Sequence, residues 1–481
     1  MPRVNIPFGE WTPDMRGPHN GLDVADNVLP AANGYVPVPS FVPETGLSAL
    51  PGVVLNAGAF RGSDRLTTLL AGTETGLYRR VYNGWEQIGS GYNAGYLNPW
   101  NFVQFGDRVI CSNGTDAPVY FDLVASDAVA DLPGAPRFLL STVVLDFIVT
   151  AVVGGDVGMV QWSGINNSEE WRPGYGQADY NASSSGGAIT GLSGGEYGLI
   201  LQEERISRMR YVGGNLIFQF DPISREIGCL THRSVAQLGR LTFFLSPKGF
   251  MMCDGASVTP IGDQKIDQTF LDAMDIGRID RMSAAIDPIR KLVVWSLPEE
   301  DPGILYAYSW TLGRWSRIVQ PVSCLFGMRD RDISIGEDYE PDMPDDSLLG
   351  AGTALGDPVF RGSGMSLGVF DDGGNLGSFS GPNMAATFRP AEAMLGGGRA
   401  ARVRLVRPVG DMASGVSLRL NGRLRMGDAM TETLHYGVRE SGDIPVRREV
   451  RSGAFELDVA AGAPWSFAQG LEVEFERGSG R

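Results

Sequence analysis

One local pattern recurs six times between Leu66 and Cys324: an apolar, β-rich run, a turn, and a second apolar run. The instances are TLLAGTETGLYRRV (68–81), VICSNGTDAPVYFDL (109–123), FIVTAVVGGDVGMVQWS (147–163), LILQEERISRMRYVG (199–213), TFFLSPKGFMMCDG (242–255) and LVVWSLPEEDPGILYAYSW (292–310). Centred on their first runs, they place Leu69, Val109, Ile148, Ile200, Phe244 and Val294 at spacings of 40, 39, 52, 44 and 50 residues. A lone hairpin buries too little apolar surface to be stable. Four-stranded units stacked around an axis bury both faces of each sheet and leave only short edges. The spacing is that of β-propeller blades, so the chain is expected to be all-β, with about six blades over 51–330. A pair of β-sandwiches is the rival arrangement, since it too places short strands at close intervals.

The flanks read differently. Residues 1–50 are punctuated by Pro2, Pro7, Pro13, Pro18, Pro30, Pro37, Pro39 and Pro43. Proline fixes φ and removes a donor, so this stretch is expected to be an extended arm packed along other surfaces, those of neighbouring subunits included. Residues 331–384 read as an acidic, Gly-rich connecting region with one or two short strands. Asp332, Glu337, Asp338, Glu340, Asp342, Asp345 and Asp346 fall there with no base among them. From 385 to 481 polar and apolar residues alternate again, as in VSLRLNGRLRM (416–426) and LEVEFERG (471–478), which predicts an antiparallel, sandwich-like β domain. The 65 glycines among 481 residues, about 14% against a usual roughly 7%, suit many tight turns and argue against long helices. The apolar stretch Phe138 to Val153 is short and broken by Asp146, so it reads as paired strands and not a membrane span. The amino-terminal residues lack the apolar run of a secretory leader.

Little in the sequence points to catalysis. Cys111, Cys229, Cys253 and Cys324 are far apart, which excludes the familiar zinc spacings and suits buried apolar positions. The histidines His19, His232 and His435 form no metal-ligand motif, and His232 reads as a strand-edge residue. No G-x-S-x-G elbow and no phosphate-binding glycine loop occur. Carboxylates abound, so a propeller glycosidase is the fairest enzyme alternative, although the repeated aspartate box of propeller sialidases is missing. A calcium site in the 332–346 cluster or at Asp371, Asp372 and Asn375 does not follow an EF-hand ligand order, so these residues read as solvated loops. The expectation is a protein that is not an enzyme and carries no cofactor. Trp162, Ser163 and Trp171, and further on Trp295, Trp310 and Trp315, pair a strand-ending Trp with a second Trp after a loop. They are expected to plug the gaps between blades.

The formal net charge is −16, and the residues before Arg399 carry −18 of it. A sequence-specific DNA binder wants a basic footprint, so such binding is not expected. A negative surface has another use beside DNA: it repels phosphates and lets a duplex slide without sticking. Two segments carry a family resemblance. APRFLLSTVVLDFIVTAVVGGDVGMVQWSGINNSEEWRPG (135–174) is similar to a strand pair leading into a Trp-Ser-Gly-x-Asn-Asn-x-x-x-Trp loop in tail proteins of short-tailed bacteriophages. In 205–271, an Ile-Gly-Cys segment precedes a Phe-Leu-Ser-x-x-Gly-Phe strand (Phe244, Ser246, Gly249, Phe250), a Gly turn and an Ile-Gly, as in the same group. The Pro-rich opening that ends GYVPVPSFVP (34–43) also resembles their arms. The group is the tail hub or nozzle proteins, also called packaged-DNA stabilisation or tail tubular proteins.

That resemblance implies a structural protein of the virion tail: a homohexameric ring with propeller bodies around an axial channel that retains packaged DNA and conducts it during ejection. Its implied partners are the adaptor ring, tail fibres or spikes, and double-stranded DNA passing without sequence-specific contacts. The acidic residues are expected to line the channel, with part of the 332–346 loop facing it or the distal opening. Two other classes stay open: a glycan-binding or glycan-degrading propeller, and a cytosolic propeller scaffold unrelated to phages.

Overall fold

The computed structural model describes residues 2–329 and 365–477, apart from 83, 183–184, 298–302, 396, 398, 413, 426 and 432–435. Among the described residues, seven four-stranded antiparallel units follow one another around an axis. Blades 1 to 6 span 56–90, 101–131, 138–182, 189–224, 236–260 and 283–319. Each of the six recurring hairpins supplies the second and third strands of one blade; the pair Leu292–Leu297 and Ile304–Ser309, for example, sits in the middle of blade 6. The first strand of each blade lies innermost. The ring closes where Cys324–Arg329, the first strand of blade 7, lies between Asn56–Arg61 of blade 1 and Ser283–Asp287 of blade 6.

The count is thus seven, one more than the spacing of the hairpins predicts. Blade 7 is built from distant pieces: Cys324–Arg329, Met365–Phe370, Leu376–Asn383 and, as its outer strand, Pro39–Pro43 from near the amino terminus. Two boundaries move accordingly. Residues 365–383, assigned to a connecting region, are propeller strands. The 1–50 segment does pack along other surfaces, but they are those of its own chain: Arg3–Pro7, Leu22–Asp26, Val28–Ala31, Gly34–Pro37 and Pro39–Pro43 all pair with its strands. Proline is tolerated there because these are edge or short strands, where a missing N–H breaks few ladder bonds.

The carboxy-terminal part is a sandwich completed by that segment. One sheet runs Val28–Ala31, Gly34–Pro37, Ala468–Arg477, Ala401–Gly410 and Ile444–Val450, with Arg3–Pro7 also against Ala468–Arg477. The other runs Leu22–Asp26, Ala386–Pro390, Ser452–Val459, Val416–Arg423 and Tyr436–Gly437. Period-two alternation places Val403, Leu418, Leu420, Leu457, Leu471 and Val473 in the shared core. Outward Arg404, Arg407 and Arg419 pair with Glu476, Asp443 and Asp458. The second sheet is continuous with blade 6, whose last strand, Arg314–Val319, meets Leu22–Asp26 in a parallel bridge at Asp26 and Arg317. Among the described residues, the α-helix Asp267–Ala273 is seven residues long, and no helix is long and apolar enough to cross a membrane.

Candidate functional site at the propeller axis

The innermost strands converge on a cavity of about 160 Å³. Asn56, Asn101, Ser141, Gly191, Ser283 and Leu325 reach it from blades 1, 2, 3, 4, 6 and 7, and Val235 from the entry to blade 5. Small and polar residues suit this position, because seven strands crowd towards one axis and their edges bond across blades. The Asn101 amide oxygen accepts from Ser141 N at 3.0 Å and Ser141 Oγ at 2.5 Å. Ser283 Oγ accepts from Leu325 N at 2.8 Å, and Asn56 Nδ2 donates to Trp100 O at 2.8 Å.

A short 3-10 turn, His232–Ser234, plugs the axis. Thr231 caps it, its hydroxyl accepting from Arg233 N at 3.2 Å. The buried Arg233 then spans the ring: Nε donates to Met282 O beside blade 6 at 2.7 Å, and Nη1 to Leu55 O beside blade 1 at 2.9 Å. Among the described residues, buried Nη2 finds no hydrogen-bond partner, and neither does His232 Nε2. Burial pulls the guanidinium's pKa down against the opposing pull of Cys324, Tyr96 and Asp280. Burial, and then the neighbouring Arg233 charge, lower His232 to about 3, so its imidazole is neutral at physiological pH. His232 was expected at a strand edge. It sits instead in this turn, where the chain returns from the outer strand of blade 4 to the innermost strand of blade 5. Arg233 was missed altogether, since an arginine after a histidine carries no local mark of burial.

The aromatic residues lie between blades. Trp162 of blade 3 packs edge-on against Phe218 of blade 4 with centroids 5.2 Å apart, and its indole N–H donates to Gln177 O. Trp171 stacks on Phe138 at 6.1 Å in a cluster shared with Ile110 of blade 2. Trp295 and Trp315 stack at 5.6 Å, and Phe250 of blade 5 lies 4.7 and 4.9 Å from them. Their indole N–H groups donate to Ser234 O and Ile261 O, both at 2.8 Å. Phe244 fills the gap between blades 4 and 5, whereas Trp310 is only half-buried beside Phe243. Ser163 Oγ accepts from Ile148 N and donates to Gly164 O, and Ser246 Oγ accepts from Lys248 N. Gly249 has φ +114°, and a Cβ there would lie 2.1 Å from Asp267 Oδ2. Trp100 fills the same kind of gap between blades 1 and 2, donating to Thr73 O at 2.7 Å, but it precedes its hairpin and so escapes the repeat.

The acidic stretch Asp332, Glu337, Asp338, Glu340, Asp342, Asp345 and Asp346 lies outside the described residues, as does His435. Asp371 is engaged by Asn375, whose backbone N–H and Nδ2 donate to its carboxylate at 2.8 and 2.9 Å within a tight turn. Cys111, Cys229, Cys253 and Cys324 are buried free thiols, and burial pushes Cys229 and Cys324 up to about 11. An open groove of about 680 Å³ between blades 2 and 3 carries Asp107, Asp122, Asp146 and Glu169. Three of these are engaged: Asp107 by Ser63, Asp122 by Val124 and Ala125 amides, and Glu169 by Arg108 at 2.7 Å.

No protein-family model matches the chain, and no curated protein matches it. Solved structures similar to it include BamB from Moraxella catarrhalis, at 10% identity over 71% of this chain and 98% of that one, with a TM-score of 0.34. The WD40 domain of Toxoplasma gondii coronin is 12% identical over 63% of this chain and 81% of that one, with a TM-score of 0.36. The WD40 domain of Neurospora crassa Pan2 is 9% identical over 57% and 90%, with a TM-score of 0.35. The chain is an all-β protein built on a β-propeller, as its own strand pairing establishes.

Proposed function

We propose that this chain is a passive structural subunit: a tail hub or nozzle protein of a short-tailed phage, assembling with copies of itself around a channel for DNA. The observation that carries this reading is the closed axis. In a propeller the axis is the place that inner strands and turns from every blade can reach at once, and here His232–Ser234 and the Arg233 side chain occupy it. The cavity left, about 160 Å³, admits neither a sugar chain nor a duplex. The outer surface is then where the protein works, and in such a ring the DNA would pass between subunits and not through any propeller. The charge of −18 on the residues before Arg399 suits a wall that repels phosphates. The resemblance of 135–174 and 205–271 to tail hub proteins supplies the class of assembly.

The test is electron microscopy and mass photometry of the purified full-length chain, alone and with an adaptor ring from a short-tailed phage. The reading expects sixfold rings or their formation on the adaptor. A monomer indifferent to the adaptor, or turnover of a polysaccharide, would count against it.

A further inference from the structure

We propose that the propeller axis is a binding site for one small tetrahedral oxyanion, phosphate or sulfate, held by the Arg233 guanidinium. Arg233 is 8% exposed, lines the axial cavity, and has no ion pair among the described residues. Its two hydrogen-bond acceptors, the carbonyls of Met282 and Leu55, are neutral, so they orient the cation without balancing its charge. Asp280 acts on this charge without touching it, and a buried guanidinium with no hydrogen-bonded anion is unfavourable, because desolvation is not repaid by dipoles alone. Yet among the described residues no Asp or Glu lines this cavity.

The remaining donors point the same way. Arg233 Nη2 is buried and unpartnered. Asn101 spends its amide oxygen on Ser141, which leaves its Nδ2 as a donor at the cavity wall. His232 Nε2, also buried and unpartnered, can donate in the tautomer protonated there. A planar fork beside neutral donors, with Asp280 acting on its charge from outside the cavity wall, is an arrangement that suits phosphate or sulfate. The bound ion would tie the turn between blades 4 and 5 to the strands of blade 2, so it would act as a pin for the ring. The small volume, about 160 Å³, suits a free ion and not a phosphodiester within a polymer.

Equilibrium dialysis of the full-length chain against radiolabelled phosphate tests this. The expected result is saturation at one phosphate per chain, displaced by sulfate and not by chloride at equal ionic strength. A double-stranded oligonucleotide should not compete. Arg233→Met should lower the affinity at least tenfold. Asn101→Asp provides an independent variant. Its carboxylate still accepts from Ser141, so folding is preserved, while its charge repels the anion and should abolish binding. Absence of binding to the unmodified protein at millimolar phosphate would overturn the proposal. So would binding undiminished in either variant, or displacement by the oligonucleotide.

Discussion

At the scale of single residues, Asp267 explains why the Phe-Leu-Ser-x-x-Gly-Phe strand and the following Ile-Gly carry glycines. Its carboxylate is buried beneath Gly249 and Gly262, where a Cβ would lie 2.1 and 2.0 Å from its oxygens. Oδ1 accepts the Phe250 N–H at 3.0 Å, and Oδ2 is unpartnered. Burial pushes its pKa up to about 6, with the Phe250 amide pulling down and Asp14 and Asp263 adding to the rise. A carboxyl raised in the folded state favours folding fully below its unfolded pKa of about 3.9, and that contribution is lost as pH rises through about 6. At neutral pH the ionised group therefore opposes folding, by about 3 kcal/mol at most. Asp267→Asn keeps the acceptor for Phe250 and removes the charge. Relative to the parent, it should gain stability between pH 4 and 7, read from urea midpoints at both values. A difference that does not change with pH would refute this account. The tryptophans give a second contrast. Trp295 is fully buried between blades 5 and 6, so Trp295→Ala should cost about 3–5 kcal/mol. Trp310→Ala, at a half-exposed ring, should cost far less by the same denaturant measurement.

At the scale of elements, burial decides what the sequence discloses. The middle strands of a blade are covered on both faces: all six residues of Leu292–Leu297 and all six of Ile304–Ser309 are buried. Such strands read as continuous apolar runs, and they produced the repeat. The first strands are half-buried and polar towards the axis, as in Asn101–Phe105, and the outermost are wet, as in Asp179–Ala182, so neither stands out. Blade 7 was illegible for another reason. Its first two strands are separated by residues 330–364, and its outer strand comes from Pro39–Pro43, some 330 residues away in sequence. Long-range closure of this kind leaves no local periodicity. The axial site was hidden likewise, because Arg233 gains its meaning from Leu55 and Met282, which only the closed ring brings near. The amino-terminal strand is a clasp in that ring: Phe41 pairs with Phe379, their rings edge-on at 6.4 Å. Phe41→Asp would place a charge against this apolar contact and should destabilise by about 1–3 kcal/mol. Hydrogen exchange should then quicken in Met365–Phe370 and Leu376–Asn383 before it does in blade 3. Uniform quickening, or none, would mean the strand does not clasp the ring.

For the whole molecule, the decisive fact is that propeller and sandwich share one core. Phe243, Phe250, Trp295 and Trp315 of blades 5 and 6 belong to the same apolar cluster as Phe388, Leu457 and Val473 of the sandwich. The seam is also bonded. Arg317 grips Asp26 through two contacts of 2.8 Å. Asn27, at φ +57°, accepts Val319 N at 2.7 Å and donates to Ala385 O at 2.8 Å. Neither half can lose its fold without exposing the other's apolar surface, so the chain should unfold in one calorimetric transition whose van't Hoff and calorimetric enthalpies agree. The seam can be loosened without disturbing either core. Asn27→Gly accepts the left-handed backbone and deletes only the side-chain bonds, and Asp26→Ala removes the ion pair. Each change should cost about 1–2 kcal/mol, and together they should broaden the transition or split it, with the sandwich melting apart from the propeller. Two transitions already present in the unmodified protein would show instead that the shared cluster couples the halves too weakly to matter, and that a ring built from such subunits could flex at this seam.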